Sequence, residues 1–270
     1  MAQYDLFEKR SNNPSLDVDA YLKRIGCKRE YRPSLRWLKT LHRNHLLHIP
    51  FENLDIHIDN QIILDLDKIF DKVIRQKRGG FCYELNGLFY HLLEELGFNV
   101  KILSAKVMTE GGNIGLEFEH LMAMAYIDDK QWLIDVGYGS SFSVPKEFAL
   151  DLLQMDYNRF FKIVERPDGS FMLQSSNDSL EFKDEYIFTK KERQFVEFIG
   201  MCQYHQTSPK SRFTQKKVIT QMTKEGRITL TDKKFITDRM GKKEEHQILN
   251  NDEFLVKLRE QFGVSLRKNT

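Results

Sequence analysis

The sequence predicts an α+β fold on three observations: helical spacing of apolar residues through the first third, a change to period two near residue 97, and a mixed pattern after residue 190. The expected division is a helical unit at 1–97 carrying a nucleophile, an antiparallel sheet or barrel at 98–190 carrying a histidine and an aspartate, and an α/β unit at 191–270.

Ser15 is placed to cap a first helix with Leu16, Tyr21, Leu22 and Ile25 that stops at Gly26, and Pro33-Ser34 opens a second with Leu35, Leu38, Leu41 and Leu46, ending before Pro50. A third segment sets Leu66, Ile69, Phe70, Val73 and Ile74 on one face and ends at Arg78-Gly79-Gly80. A fourth starts at Cys82 and repeats Leu85, Leu88, Phe89, Leu92, Leu93 and Leu96 up to Gly97. Strands are expected at Val100 to Met108, His120 to Ile127, Gln131 to Val136, Phe160 to Val164, Phe171 to Gln174 and Glu181 to Phe188, with Asp128-Asp129 and Pro167-Asp168-Gly169 as turns. The last third predicts a helix near Lys191 to Gln203, strands at Val218 to Met222, Arg227 to Leu230 and Phe235 to Thr237, and a closing helix from Asn251 to Phe262.

Composition narrows the function classes. A formal net charge of +2 over 270 residues, with charges well mixed, lacks the basic field of a dedicated nucleic-acid binder. Met1 to Arg10 carries Asp5, Glu8, Lys9 and Arg10 with no apolar run behind it, so no secretory leader is expected. No apolar stretch approaches the roughly 18 residues needed to span a bilayer. The expectation is a cytoplasmic protein. Cys27, Cys82 and Cys202 form no CxxC pair, which predicts free thiols and no zinc site.

The run Arg78-Gly79-Gly80-Phe81-Cys82-Tyr83-Glu84-Leu85-Asn86-Gly87 holds the chemistry. A cysteine opening an amphipathic helix is most often a small buried side chain. Here Gly79 and Gly80 permit close approach, and Asn86-Gly87 sits inside a helix although Gly there costs about 1 kcal/mol, so something packs close. A helix N-terminus presents free N–H groups and a partial positive charge, which predicts a lowered thiol pKa. A thiol nucleophile also needs a base and a group to orient that base. If Asp128-Asp129 is a two-residue turn, Asp135 falls opposite Met122 and diagonal to His120, roughly 7–8 Å away and within side-chain reach. A one-residue slip would destroy that relation. Asp135 lies in an otherwise apolar strand, where a charge needs a partner. His42, His45 and His48 on the second helix are explained by its C-terminal charge or by solvation, and the His45 to His48 spacing without further ligands predicts no metal. Gly137-Tyr138-Gly139-Ser140-Ser141 is too short for a nucleotide loop and reads as a turn that lines the acyl site.

RGGFCYELNGLF at 78–89 resembles the nucleophile motif of the arylamine N-acetyltransferases. Ile49-Pro50-Phe51-Glu52-Asn53-Leu54, His120-Leu121, Asp135-Val136-Gly137-Tyr138-Gly139 and Thr207-Ser208-Pro209 with Phe213 resemble further segments of that family, in order, over roughly residues 15 to 260. The resemblance implies a helical bundle, a β-barrel and an α/β lid, with Cys82 as nucleophile, His120 as base and Asp135 as orienter. It implies acetyl-CoA as cosubstrate with no metal, and an arylamine, arylhydrazine or N-hydroxyarylamine as small-molecule acceptor, served in turn by an acetyl-cysteine intermediate. It places Val107, Tyr204 and Ser208 along the coenzyme cleft; the coenzyme phosphates need cations, for which Lys101 to Lys106 and the loop Lys210 to Arg212 are candidates, ordinary surface lysine being the alternative. Phe51, Phe81 and Gly139 are acceptor-pocket positions, core packing being the alternative for the two phenylalanines. Arg78 and Glu52 are candidates for a supporting ion pair. Without an extended tail of the vertebrate kind, the chain resembles bacterial members; Glu119 departs from the family, which more often has a small or apolar residue there, and Glu117, Phe118 and Glu119 predict an acidic approach to His120. A cysteine hydrolase or transglutaminase-like enzyme would use the same triad, and a non-catalytic binding protein could keep the fold with an inert thiol.

Overall fold

The computed structural model describes residues 16–109, 111–139, 142–157 and 159–266. Helix α1 (Val18–Arg24) starts at Asp17, whose carboxylate accepts from the Ala20 amide at 3.0 Å. The expected Ser15 cap lies outside the described residues. Helix α2 (Leu35–His48) is capped by Ser34, whose hydroxyl accepts from the Trp37 amide. A two-residue strand β1 (Phe51–Glu52) and a short helix α3 (Leu66–Phe70) follow. Residues Asp71–Arg75 then form a π-helical turn, so Val73 and Ile74 still reach the core, but through a widened turn rather than one continuous α-helical face. Helix α4 (Cys82–Glu95) buries Leu85, Leu88, Phe89, Leu92 and Leu93, each contributing about 1.5–3 kcal/mol by removal from water.

The eight-stranded antiparallel sheet contains β2 (Asn99–Val107), β3 (His120–Ile127), β4 (Lys130–Ile134), β5 (Lys146–Glu147), β6 (Gln154–Asp156), β7 (Arg159–Glu165), β8 (Phe171–Ser176) and β9 (Lys183–Phe188). Its order is β5-β4-β3-β2-β9-β8-β7-β6. The end strands meet through Gln154, whose side chain accepts from the Glu147 amide and donates to the Glu147 carbonyl, nearly closing the barrel. Asp128 and Asp129 both take positive φ, the backbone of a two-residue hairpin turn matched to strand twist. The pairs Ala123↔Ile134 and Ala125↔Trp132 give the predicted register. Met122 and Met124 point into the barrel core with Leu133, while Ala123 and Ala125 face the helices. Both faces of β3 are therefore covered, which explains its run of six buried residues.

After β9 the expected helix at 191–203 gives way to a 3₁₀ turn at Phe195–Phe198 followed by α5 (Ile199–Thr207). Helix α6 (Arg212–Gln215) leads to β10 (Val218–Met222), β11 (Gly226–Thr231), β12 (Lys234–Arg239) and β13 (Lys242–Gln247), and α7 (Asn251–Phe262) closes the described chain with Asn250 as cap. These four strands form a second sheet whose opposite edge is β1, through Phe51↔Thr220 and Glu52↔Ile219. Ile219 and Leu230 pack with Leu54, Phe254 and Leu258. The pairing of β1 with β10 brings the segment before the cysteine, the barrel rim and the C-terminal sheet together around Cys82.

Candidate active site

Cys82 is the first residue of α4, and the turn before it is fixed by a charged network. The Glu84 carboxylate accepts from the Phe81 amide at 3.0 Å, satisfying a donor at the helix start. Lys72 Nζ lies 2.8 Å from Glu84 and 2.7 Å from Asp55, and Arg78 reaches Glu52 at 2.7 Å and Asp55 at 2.9 Å. The Arg78–Glu52 pair is thus one link of a five-residue network. Burial pushes the Glu84 carboxyl up against the opposing pull of Lys72.

On the other side of the helix start, His120 Nε2 and Asp135 Oδ2 are 2.8 Å apart and both residues are buried. Asp135 is held from three further directions. Asn86 Nδ2 donates to its Oδ1 at 3.0 Å, the Gly137 amide donates to the same oxygen at 3.0 Å, and its own amide donates to His42 Nε2 at 3.2 Å. Burial opposes ionisation, but the His120 interaction and these donors hold its carboxyl below the usual range. Asn86, one helical turn after Cys82, also donates to the Leu121 carbonyl and accepts from the Val136 amide, so one side chain ties α4 to both strands. Gly137 leaves no room for a side chain: a Cβ there would stand 2.8 Å from Cys82 Cα and 2.7 Å from Asn86 Nδ2. Gly87 is filled likewise by the Phe195 ring, which a Cβ would meet at 2.4 Å. The two residues that helix propensity left unexplained are contact points.

The thiol itself departs from expectation. Burial pushes the Cys82 pKa strongly up, and the Asp135 charge adds to this, while hydrogen bonding with the Leu121 backbone and the Arg212 charge act in the opposite direction. Desolvation outweighs the helix N-terminus, whose effect is at most a few kcal/mol. The second departure is α2. His42 and His45 are fully buried rather than solvated, and burial lowers His42 to about 4. Neutral His42 uses both nitrogens, Nδ1 donating to the Ser143 carbonyl at 3.1 Å and Nε2 accepting from Asp135. The third is the acidic approach: Glu117 accepts from the Ser104 hydroxyl and is ion-paired with Lys106 and Arg193. Phe118 takes a positive φ, and its carbonyl and that of Glu119 both accept from Tyr83 Oη, which fixes the strand entry to His120.

An N-acetyltransferase family model matches residues 34–270. The chain is 30% identical to arylamine N-acetyltransferase 2 of Mus musculus, over 94% of this chain and 96% of that one. The chain belongs to the arylamine N-acetyltransferase family. It is also 30% identical to proansamycin X synthase of Amycolatopsis mediterranei, over 88% of this chain and 94% of that one. Among solved structures it superposes on the enzyme of Salmonella typhimurium with a TM-score of 0.86 at 27% identity, covering 92% and 90% of the two chains. A neighbour from Mycobacterium abscessus gives 0.86 at 26%, covering 93% and 91%. The function of this family is acetyl-CoA-dependent N-acetylation of arylamines, and its members are acyltransferases.

Phe51 is partly exposed, its ring 6.2 Å from that of Phe213, and both Phe51 and Thr220 stand 3.8 Å from where a Gly139 Cβ would be. Phe81 is fully buried against Tyr83 and Phe213 and belongs to the wall behind the cysteine. Val107 is buried with its carbonyl taken by the Gly115 amide. Tyr204 stacks edge-on against His205, the Ser208 hydroxyl accepts from the Lys210 amide, and Lys210 is exposed. Lys101 and Lys106 are paired with Glu192 and Glu117, whereas Lys210 and Arg212 form no ion pair among the described residues. Ser140 and Ser141 lie outside the described residues. Among the described residues no helix is long and apolar enough to cross a membrane. Sequence reasoning did not place Asn86 and His42 at the site; an asparagine four residues after the cysteine was the available signal for the first, and nothing local marks the second.

Proposed function

We propose that this protein transfers an acetyl group from acetyl-CoA to the nitrogen of an arylamine or arylhydrazine through an acetyl-Cys82 intermediate. The observation that carries the reading is the buried His120–Asp135 pair beside the Cys82 helix start. A thiol that burial holds neutral becomes a nucleophile when an adjacent imidazole takes its proton, and Asp135 stabilises the imidazolium that results. Sγ then attacks the thioester carbonyl, the bond from that carbon to the coenzyme sulfur breaks, and His120 returns its proton to the departing thiolate. In the second half, the amine nitrogen attacks the acetyl-cysteine carbonyl, its proton passes to His120, and the Cys82 thiolate leaves. The partly exposed Phe51 and Gly139 line the acceptor side, and Lys210 and Arg212 supply cations for the coenzyme phosphates, with Val107, Tyr204 and Ser208 along the same cleft.

Incubation with acetyl-CoA alone is expected to release free coenzyme A and add one acetyl group to Cys82, visible by peptide mass spectrometry, and an arylamine is expected to discharge it. Failure to form the adduct contradicts the reading. An adduct lost to water as fast as to amine would identify a hydrolase using the same triad.

A further inference from the structure

The ladder between β3 and β4 ends at Ala123↔Ile134, one residue short of Asp135. Beyond it, three successive amides donate to side chains. Asp135 donates to His42 Nε2 at 3.2 Å, Val136 to Asn86 Oδ1 at 2.8 Å and Gly137 to the Asp135 carboxylate at 3.0 Å. The last of these bonds is internal to the turn, and Asn86 belongs to α4 with Cys82. His42, on α2, is therefore the acceptor that ties the Asp135 backbone to a part of the fold outside both the turn and the nucleophile helix.

The His42 ring is fixed on all sides. It stacks on Phe142 with centroids 5.5 Å apart and an interplanar angle of 16°, and it meets Phe89 of α4 edge-on. Its Nδ1 donates to the Ser143 carbonyl at 3.1 Å. Ser143 is held in turn: its amide donates to Asp156 at 2.7 Å, its hydroxyl donates to the same carboxylate, and Lys146 Nζ stands 2.7 Å from Asp156. Lys146 and Asp156 are both buried, on β5 and β6, the end strands that meet where the barrel nearly closes. A hydrogen-bonded path thus runs from this seam through Ser143 and His42 to the Asp135 backbone. Moving Asp135 off this path would leave a buried amide and a buried ring nitrogen unpaired, which makes the position costly to leave.

We propose that His42 is a positioning residue for the transfer reaction: anchored to the Asp156–Lys146 pair at the barrel seam, it holds the Asp135 backbone where the carboxylate meets His120. The inference rests on the acetyl-transfer reading above. The charged and titratable groups facing His42 are Asp135 at the end of β4, Asp156 on β6, Lys146 on β5 and His45 on its own helix, while α4 turns the Phe89 ring toward it. Because burial lowers His42 to about 4, its Nε2 remains an acceptor throughout the neutral range. A changed pH dependence in that range therefore reports on the His120–Asp135 pair.

The test follows single-turnover acetylation of Cys82 by acetyl-CoA against pH in wild type, His42→Phe, His42→Asn and His42→Gln. Phenylalanine keeps the ring stack and loses both polar contacts, asparagine keeps a donor for Ser143 without reaching Asp135, and glutamine keeps an acceptor at the Nε2 position. A misplaced carboxylate predicts that the maximal rate falls about 10- to 100-fold in His42→Phe, with the acetyl-CoA concentration for half-maximal rate little changed. The pH profile is expected to move to higher pH as the imidazolium loses support, His42→Asn to behave alike, and His42→Gln to recover most of both effects. Lower stability in His42→Phe with wild-type rate and pH dependence per folded molecule would overturn the proposal, and so would equal losses in all three variants. If His42→Phe does not fold, the asparagine and glutamine variants carry the same comparison. A wild type that forms no acetyl adduct contradicts the proposed function itself, whereas an adduct whose rate and pH dependence are indifferent to His42 contradicts only this inference.

Discussion

Two buried polar networks meet at the first turn of α4, and they are built differently. Beneath the helix start, Glu52, Asp55, Lys72, Arg78 and Glu84 form a lattice of fixed charges with an ion pair at nearly every link. On the opposite side, Asp135 is a lone carboxylate that accepts from Asn86 and the Gly137 amide, faces the His120 ring, and donates its own amide to His42. The first network positions Cys82 and ties each of its carboxylates to Lys72 or Arg78. The second leaves one imidazole beside the cysteine with a buried anion behind it, the arrangement that proton transfer requires. Closeness to a buried thiol alone does not make a network catalytic; a group with a proton to give and take does.

Substitutions in each network should separate positioning from chemistry. Asp135→Asn keeps the shape and removes the charge behind His120, and is expected to lower the rate of Cys82 acetylation by about 10³–10⁴ with the fold intact. A loss below tenfold would mean that the carboxylate is structural like its counterparts across the helix. Arg78→Met leaves Glu52 without its cation, while Asp55 keeps Lys72, and should cost about 3–5 kcal/mol of stability by denaturant unfolding. Restoring that stability in the double variant with Glu52→Gln would show the cost to be uncompensated charge rather than lost packing.

A smaller effect is expected from acid. His42 binds its proton at about 4 when folded and near 6.5 when unfolded. Between those values the unfolded chain holds more protons, so stability falls as pH drops from 6.5 toward 4, by on the order of 3 kcal/mol from this group. His42→Gln should flatten that part of the stability–pH curve; an unchanged slope would contradict the buried neutral ring. The mildest change is Gly87→Ala, which places a methyl against Phe195 and should cost about 1–3 kcal/mol through overpacking. Gain of stability, as helix propensity alone predicts, would mean that Phe195 moves aside freely.

Much of this was legible in the sequence. The register joining His120 to Asp135 followed from one dipeptide turn, because a two-residue hairpin leaves the pairing no freedom. Helix α2 was legible through its Pro33-Ser34 opening, and the closing helix over its full Asn251–Phe262 span, although its Asn250 cap was not singled out. Strand β13 was not, since Lys242–Gln247 is exposed throughout and carries no alternation; its pairing with β12 makes it a strand. The π turn at 71–75 hid behind a helical pattern that it only slightly widens. At the site, the residue types that carry charge or a thiol were visible, while the Cys82 environment was not: the helix N-terminus is a local effect that sequence shows, and desolvation is imposed by strands distant in the chain. His42 shows the same limit, because its partner Asp135 is 93 residues away.

In the proposed function, Cys82 owes its thiolate to His120 rather than to the helix end. Its direct test is the pH dependence of Cys82 alkylation, followed by peptide mass spectrometry against Cys27 and Cys202 as internal references, in wild type and in His120→Ala. Wild-type Cys82 is expected to react fastest of the three near neutral pH, and His120→Ala is expected to move its titration above the ordinary thiol range. Superimposable profiles for the two proteins would contradict it and return the thiolate to the helix N-terminus.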